Sequence, residues 1–137
     1  MQTFLPYPSF IESAKVLDWR RLGKQRVECK QIYNALTMPK YGWQNHPAVK
    51  MWRGHEAILA IYGMTVCLEW RDRGYKDSLL PWFVSRMPLD YWPFPAWIGD
   101  ETVHASHRSN LLRKDPEWYG KFNWAEKPDL PYIWPKV

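Results

Sequence analysis

The sequence predicts an all-α fold, a compact single domain over residues 1–137 with about three to four helices and a long central helix. Apolar residues recur at helical spacing, and no segment alternates apolar and polar residues as a strand would. A length of 137 residues suffices for one hydrophobic core but not for two domains. Prolines and tryptophans crowd residues 79 to 97, which predicts an ordered loop without a helix.

Capping residues set the limits of the first two predicted helices. Ser9 and Glu12 have capping-box spacing, so the first helix should run from residue 10 to about residue 17. Asp18 can cap a second helix within residues 17–36, which ends before Pro39. One face of this second helix carries an apolar stripe that includes Cys29 and should face the core.

Proline and glycine set the limits of the later helices. Pro47 suits the first turn of a central helix that we expect to run unbroken to about residue 73, where Gly74 stops it. Gly63 inside this helix indicates a kink or the close approach of another helix. A fourth, largely polar helix should run from about residue 102 to residue 114 and stop before Pro116.

Composition narrows the class of partner. A net charge of +5 and an isoelectric point of about 9.2 favour a polyanionic partner. Cys29 and Cys67 fall in apolar helical stretches, which predicts buried free thiols rather than a disulfide, and no metal-ligand spacing occurs. We therefore expect no metal and no cofactor. No signal peptide or membrane span is recognisable, so we expect a cytoplasmic protein that does not contact a membrane.

The second helix carries the clearest candidate site. Arg21, Gln25 and Glu28 follow one another along the flank of its apolar stripe, and Lys24 lies beside them. Glu28 should therefore lie at the edge of the core among cations, which is the arrangement of a binding or catalytic site. The alternative is a solvated helix face with ion pairs between residues four positions apart.

Three further clusters of polar side chains are candidates for phosphate or nucleotide binding. They are Asn45 and His46 before Pro47, Arg53 and His55 on either side of Gly54, and His104, His107, Arg108, Ser109 and Asn110 in the fourth helix. The alternative for Asn45 is a plain helix N-cap, and the alternative for Arg53 is an exposed residue of an ordinarily packed helix. In the fourth helix a site is favoured, because few apolar residues explain its burial.

These residues resemble the pyrimidine-dimer DNA glycosylases of the phage endonuclease V type, over nearly the whole chain. The resemblance is carried by Leu5, the helix from Leu17 and Asp18 to Glu28, Asn45-His46-Pro47, Gly54-His55, Arg73-Gly74-Tyr75 and the segment Asp115 to Lys121. The run from Trp43 to Pro47 is more similar to a bacterial branch than to the phage prototype. The resemblance implies a helical fold that acts on DNA.

The resemblance also implies the chemistry. In that family the protein's own α-amino group attacks C1′ of the damaged nucleotide, a glutamate assists, and β-elimination from the resulting Schiff base nicks the strand. Glu28 matches the glutamate, and aligning Leu5 puts Met1 at the position of the nucleophile. Gln2 is bulky and should discourage removal of Met1, whereas the prototype exposes a threonine amine. Val27 stands where the prototype has an arginine, with Arg26 adjacent.

We therefore expect a monomeric DNA glycosylase and abasic-site lyase whose partner is duplex DNA, with Met1 and Glu28 as catalytic residues. The expected DNA-binding residues are Arg20, Arg21, Lys24, Gln25, Arg26, Asn45, His46, Arg53, His55, His107, Arg108, Asn110, Trp118, Tyr119 and Lys121. Two alternatives stay open. One is a nucleic-acid-binding module without catalysis, and the other is an enzyme that acts on a nucleotide modification unrelated to ultraviolet damage.

Overall fold

A computed structural model describes residues 1–90 and 92–135, and within them the chain is helical, without a β-strand. The helices are α1 (Phe10–Val16), α2 (Trp19–Thr37), α3 (Pro47–Lys50), α4 (Glu56–Asp72), α5 (Leu80–Val84), α6 (Glu101–Lys114) and α7 (Pro116–Tyr119), followed by a 3-10 turn at Gly120–Phe122. The predicted all-α fold is confirmed. The helices outnumber the prediction because α3, α5 and α7 are single turns too short to show a periodicity.

The first two helices begin at the predicted caps. The Ser9 hydroxyl accepts a hydrogen bond from the backbone N–H of Glu12 at 3.2 Å, and the Asp18 carboxylate accepts one from the N–H of Arg21 at 3.4 Å. In α2 the stripe residues Leu22, Cys29 and Ile32 are fully buried, and both cysteines are free and buried as predicted. Helix α2 packs along α4. The flank of α2 faces the N-terminal segment, residues 2–5.

The central helix is shorter than predicted, because the expectation of an unbroken helix from Pro47 to residue 73 is wrong. Gly54 has a φ of +83° and ends the turn that follows α3, and α4 begins after it. A Cβ added at Gly54 would meet open space, so the positive φ rather than packing within the protein favours glycine here. The N-cap of α3 is His46 rather than Asn45, since the His46 Nδ1 accepts from the Ala48 N–H at 3.0 Å.

Gly63 marks a close contact between helices in the core, as the sequence indicated. The ring of Phe83 on α5 lies against it, and a Cβ added at Gly63 would stand 2.3 Å from Phe83 Cε1. The expectation that residues 79 to 97 contain no helix is therefore wrong. Pro81 falls in the first turn of α5, where its missing N–H costs no helical hydrogen bond.

Helix α6 is polar because it binds other segments of the chain through side chains. Ser109 donates to the carbonyl of Lys127 and accepts from the N–H of Leu130, and Ser106 accepts from the N–H of Ile133 at 3.1 Å. These bonds fix the C-terminal tail, residues 123–135, on the surface of α6. No helix in the described part of the chain is both long and apolar enough to cross a lipid bilayer.

Replacing Gly63 with alanine should destabilise the fold. Because the new methyl group would overlap the Phe83 ring, we expect Gly63→Ala to lower the free energy of unfolding by about 1–3 kcal/mol, measured by chemical denaturation. Gly120→Ala is the matched control, since Gly120 has open space and a helical φ of −63°, and should change stability by less than about 0.5 kcal/mol. Equal stabilities of the two variants would contradict the packing described.

Candidate functional site

The first residues of the chain are held by side chains of α2. The backbone N–H of Gln2 donates to Glu28 Oε2 at 2.5 Å. The side-chain amide of Gln25 makes two hydrogen bonds. Its Nε2 donates to the Gln2 carbonyl at 2.8 Å, and its Oε1 accepts from the Phe4 N–H at 2.7 Å. The buried side chains of Gln25 and Glu28 therefore fix the main chain of residues 2 to 4.

Helices α4 and α6 hold the next residues in the same way. The Leu5 N–H donates to His107 Nδ1 at 2.9 Å, and His104 Nδ1 bonds to the Leu5 carbonyl at 2.7 Å. The Tyr62 hydroxyl donates to the Phe4 carbonyl. Each bond ends on the backbone, so the segment from 2 to 5 lies in the interior with the N–H and carbonyl groups of Gln2, Phe4 and Leu5 paired although it belongs to no helix.

This anchoring places residue 1 at a cavity of about 810 Å³. The cavity is lined by Met1, Gln2, Phe4, Asp18, Trp19, Arg20, Arg21, Lys24, Gln25, Glu28, His46, Lys114, Asp115, Trp118, Tyr132 and Trp134. Its size falls within the range of about 300–1,000 Å³ typical of ligand-binding clefts. The α-amino group of Met1 is separated from the Gln2 nitrogen that contacts Glu28 only by the Met1 Cα and carbonyl carbon.

The cavity has more cations than anions along its walls. Lys24 Nζ lies 3.6 Å from Glu28 Oε1 but its side chain is 74% exposed, and Arg21 pairs with Asp18 at 3.2 Å. The pKa of Lys114 is lowered, first by partial burial and then by the positive charge of Arg21. Such repulsion between cations indicates a site suited to an anionic ligand.

His46 joins the cavity from the turn before α3. Burial lowers its pKa, and the positive charge of the Met1 amino group lowers it further. The Nδ1 of His46 is used as the helix cap, which leaves its other nitrogen for a ligand. The sequence identified His46 from its neighbours Asn45 and Pro47, and the structure brings it to the cavity.

Aromatic side chains form the rest of the wall, and sequence reasoning identified only one of them. Trp118 was predicted, and its Nε1 donates to the carbonyl of Val16 at 2.7 Å. Phe4, Trp19, Tyr132 and Trp134 were missed. Trp19 has a usable signal, since it directly follows the cap of α2. The two tail residues have none, because only the bonds between the tail and α6 bring them to the cavity.

About half of the predicted site residues meet at this cavity. They are Met1, Arg20, Arg21, Lys24, Gln25, Glu28, His46 and Trp118. Lys121 lies just outside, with its Nζ 3.3 Å from the centre of the Trp118 ring. Lys114 belongs with this set and was missed, although it follows Arg113 at the end of the predicted fourth helix.

Several other predicted residues do not line the cavity. Arg26 points away from it and pairs with the buried carboxylate of Asp77. Tyr119 is fully buried with its hydroxyl bonded to Asp18, so it cannot stack on DNA as expected. Asn45, Arg53 and His55 lie outside the cavity, where Arg53 donates to the Gln44 carbonyl at 3.0 Å and His55 Nδ1 lies 2.8 Å from the Pro93 carbonyl.

The fourth-helix cluster is structural, contrary to the expectation that it contacts DNA. His107 and Asn110 are fully buried, and Asn110 bonds to the carbonyls of Ser106 and Leu130. Arg108 is buried against Glu101 and Glu126 and donates to the Pro6 carbonyl at 2.7 Å. All three side chains lie in the interior, and Arg108 and Asn110 bond to groups of the protein, whereas the Nε2 of His107 has no hydrogen-bond partner within the described residues.

Metal ligands are not gathered anywhere in residues 1–90 and 92–135, since no group of three or more His, Cys, Asp or Glu side chains lies close enough to hold an ion. Within those residues the cavity walls instead consist mainly of cations and aromatic rings, together with the carboxylates of Asp18, Glu28 and Asp115. Such walls are typical of proteins that bind a nucleic-acid strand and hold one nucleotide.

Comparison with known protein families agrees with a protein that binds nucleic acid. The sequence model of a family described as pyrimidine dimer DNA glycosylase matches residues 1–80, more than half of the chain. The chain belongs to the pyrimidine dimer DNA glycosylase family. Searches of curated proteins and of solved structures gave no significant match. The matched residues include α2 and the N-terminal segment, whereas α6, α7 and the tail lie beyond them.

The buried histidines should make the fold sensitive to acid. Burial lowers the pKa of His107 to about 3, whereas an unfolded histidine titrates near 6.5. Between these two pKa values the unfolded chain binds a proton at His107 and the folded chain does not. The free energy of unfolding should therefore fall as the pH drops from about 6.5 towards 3. One such proton contributes a slope of up to about 1.4 kcal/mol per pH unit.

Denaturation of His107→Gln at a series of pH values tests this expectation. Glutamine is a polar residue that takes up no proton, so the acid-induced loss of stability should be smaller than in the wild type. His55→Gln, a change at a histidine outside the interior, should retain the wild-type dependence. An unchanged slope in His107→Gln would show that His107 is not the group responsible.

Proposed function

We propose that this protein is a DNA glycosylase with abasic-site lyase activity, and that the α-amino group of Met1 is its nucleophile. The observation that carries the proposal is the 2.5 Å hydrogen bond between the Gln2 N–H and Glu28 Oε2, at a cavity that Met1 and Glu28 both line. Membership of the pyrimidine dimer DNA glycosylase family supports the reaction class. The substrate is a damaged pyrimidine in duplex DNA.

The reaction begins with the neutral form of the amine. Its lone pair forms a bond to C1′ of the damaged nucleotide, the bond from C1′ to the base nitrogen breaks, and the base leaves with that electron pair and takes up a proton. Opening of the sugar ring and loss of the amine proton give a Schiff base. Removal of a C2′ proton then expels the 3′ phosphate, and water releases the protein.

Glu28 would act on the sugar. A carboxylate beside C1′ stabilises the positive charge that develops there as the base departs, and it can afterwards accept and return protons during ring opening and elimination. Its Oε2 is engaged by the Gln2 N–H and its Oε1 faces Lys24, so the carboxylate is oriented before substrate arrives. This orientation favours catalysis because it needs no rearrangement at the moment of reaction.

The exposed cations would position the DNA backbone. Arg20, Lys24 and Lys114 line the cavity with exposed side chains, which suits them to phosphate oxygens. Arg20 also lies over the ring of Trp19 at 5.3 Å, so a phosphate contact there is coupled to an aromatic surface on which a base can stack. These contacts set the register of the strand, and the cavity walls select the nucleotide.

Borohydride trapping on duplex DNA with one abasic site should give a covalent complex, because reduction fixes the Schiff base. Peptide mapping by mass spectrometry should locate the adduct on the α-nitrogen of residue 1. Among the described residues, Lys24 and Lys114 are the other primary amines that line the cavity. Lys24→Arg and Lys114→Arg keep the positive charge but remove these amines, so the adduct should stay on residue 1 in both variants.

An adduct on Lys24 or Lys114 would overturn the assignment of the nucleophile while leaving the lyase activity intact. If the wild type binds abasic duplex DNA but yields no trapped complex, the amine mechanism is wrong and a binding module without catalysis takes its place. Blocking the α-amino group by acetylation should abolish trapping without abolishing DNA binding.

Glu28→Gln should distinguish a catalytic role of the Glu28 carboxylate from a purely structural one. The glutamine oxygen can still accept from the Gln2 N–H, so folding and DNA affinity should persist. Loss of the negative charge should reduce single-turnover excision by about 10² or more. Glu117→Gln, at an exposed acid outside the cavity, is the control and should excise at the wild-type rate. Wild-type activity of Glu28→Gln would remove Glu28 from the mechanism.

A further inference from the structure

Trp43 is an exposed aromatic residue held in an unfavourable backbone conformation. Its φ is +63°, in the left-handed region that bulky side chains rarely adopt, and 61% of its surface is exposed. Neither hydrophobic burial nor a relaxed backbone therefore accounts for a tryptophan here. Strained conformations of this kind persist where the surroundings enforce them, and they are concentrated at functional sites.

The surroundings of Trp43 are rigidly cross-linked. Gln44 Nε2 donates to the carbonyls of Met38 and Pro39, at 3.1 and 2.8 Å. Arg53 donates to the carbonyl of Gln44 at 3.0 Å, and the His46 N–H donates to the carbonyl of Trp43 at 2.9 Å. The exposed ring thus stands on a fixed turn. Arg53, which the sequence indicated as a DNA contact, serves instead to brace this turn.

A continuous row of rings connects Trp43 to the cavity. The Trp43 and His46 rings lie 6.0 Å apart, His46 and Trp134 lie 6.4 Å apart, and Trp134 and Tyr132 lie 5.5 Å apart, all between ring centres. The last three residues line the cavity together with Met1. Trp43 is therefore the solvent-exposed end of an aromatic surface whose other end reaches the candidate nucleophile.

We propose that Trp43 inserts into the base stack of duplex DNA beside the nucleotide that reacts in the cavity. The inference rests on the proposed function and adds a residue that opens the duplex. A nucleotide that leaves the stack exposes the faces of its neighbours, and an indole ring can cover them at a site where the protein also binds the departed nucleotide. The fixed turn keeps the ring ordered in advance, which reduces the entropy lost on binding.

Trp43→Asn is the sharpest variant, because asparagine tolerates the left-handed conformation but has no ring. Its thermal stability should equal or exceed that of the wild type. Excision of a pyrimidine lesion from fully paired duplex DNA should fall about 10-fold or more, which corresponds to the stacking of one base on an aromatic ring. On the same lesion in an unpaired bulge the loss should be clearly smaller, since little stacking remains to be broken. Trp43→Phe should be intermediate.

A fluorescence assay tests the inference without catalysis. 2-Aminopurine placed opposite the pyrimidine lesion becomes brighter when the stack opens at that base pair, so the wild type should raise its emission and Trp43→Asn should not. Trp92→Asn is the matched control, at another exposed tryptophan outside the cavity and outside the aromatic row, and should behave as the wild type.

The outcomes separate the two proposals. If the wild type unstacks 2-aminopurine but excises and traps nothing, the proposed catalysis fails and the role of Trp43 stands. If Trp43→Asn equals the wild type in both assays, the inference is overturned. It is also overturned if the variant loses as much activity on the bulged lesion as on the paired one, because Trp43 would then support the cavity rather than open the duplex.

Discussion

The burial of the N-terminal segment, residues 2–5, is the constraint on which the rest of the structure depends. An extended stretch without helical hydrogen bonds can lie in a core only if side chains satisfy its backbone. Gln25 and Glu28 do so from α2, Tyr62 from α4, and His104 and His107 from α6. Three helices are thereby fixed around one segment, and the cavity forms where that segment ends.

The distribution of ion pairs explains why net charge is a weak indicator of function here. The interior uses arginines as structural cross-links, with Arg26 paired to Asp77 and Arg108 paired to two glutamates. The cations at the cavity are less completely paired, and Lys24 is largely exposed. Which cations are paired depends on the folded arrangement, so a count of charges in the sequence does not identify a site.

Local rules predicted the elements whose causes are local. The cap at Asp18 and the position of Glu28 on the flank of α2 follow from spacing within a few residues. The break at Gly54 was missed because the flanking sequence is compatible with helix and only the positive φ decides it. The role of α6 was misread because its partners, such as Leu5 and Leu130, are remote in sequence. The aromatic wall from the tail was missed for the same reason.

The anchoring of the first residues through backbone atoms has a consequence for what evolution can change there. Atoms common to nearly all residues, the N–H and carbonyl groups of residues 2, 4 and 5, make most of the contacts. Side chains in this segment can therefore vary within the limits of packing, whereas the spacing of residues 2 to 5 cannot, since one residue inserted among them would shift the bonds on one side of it by a position. Sequence comparison of such N-termini should weigh register above identity.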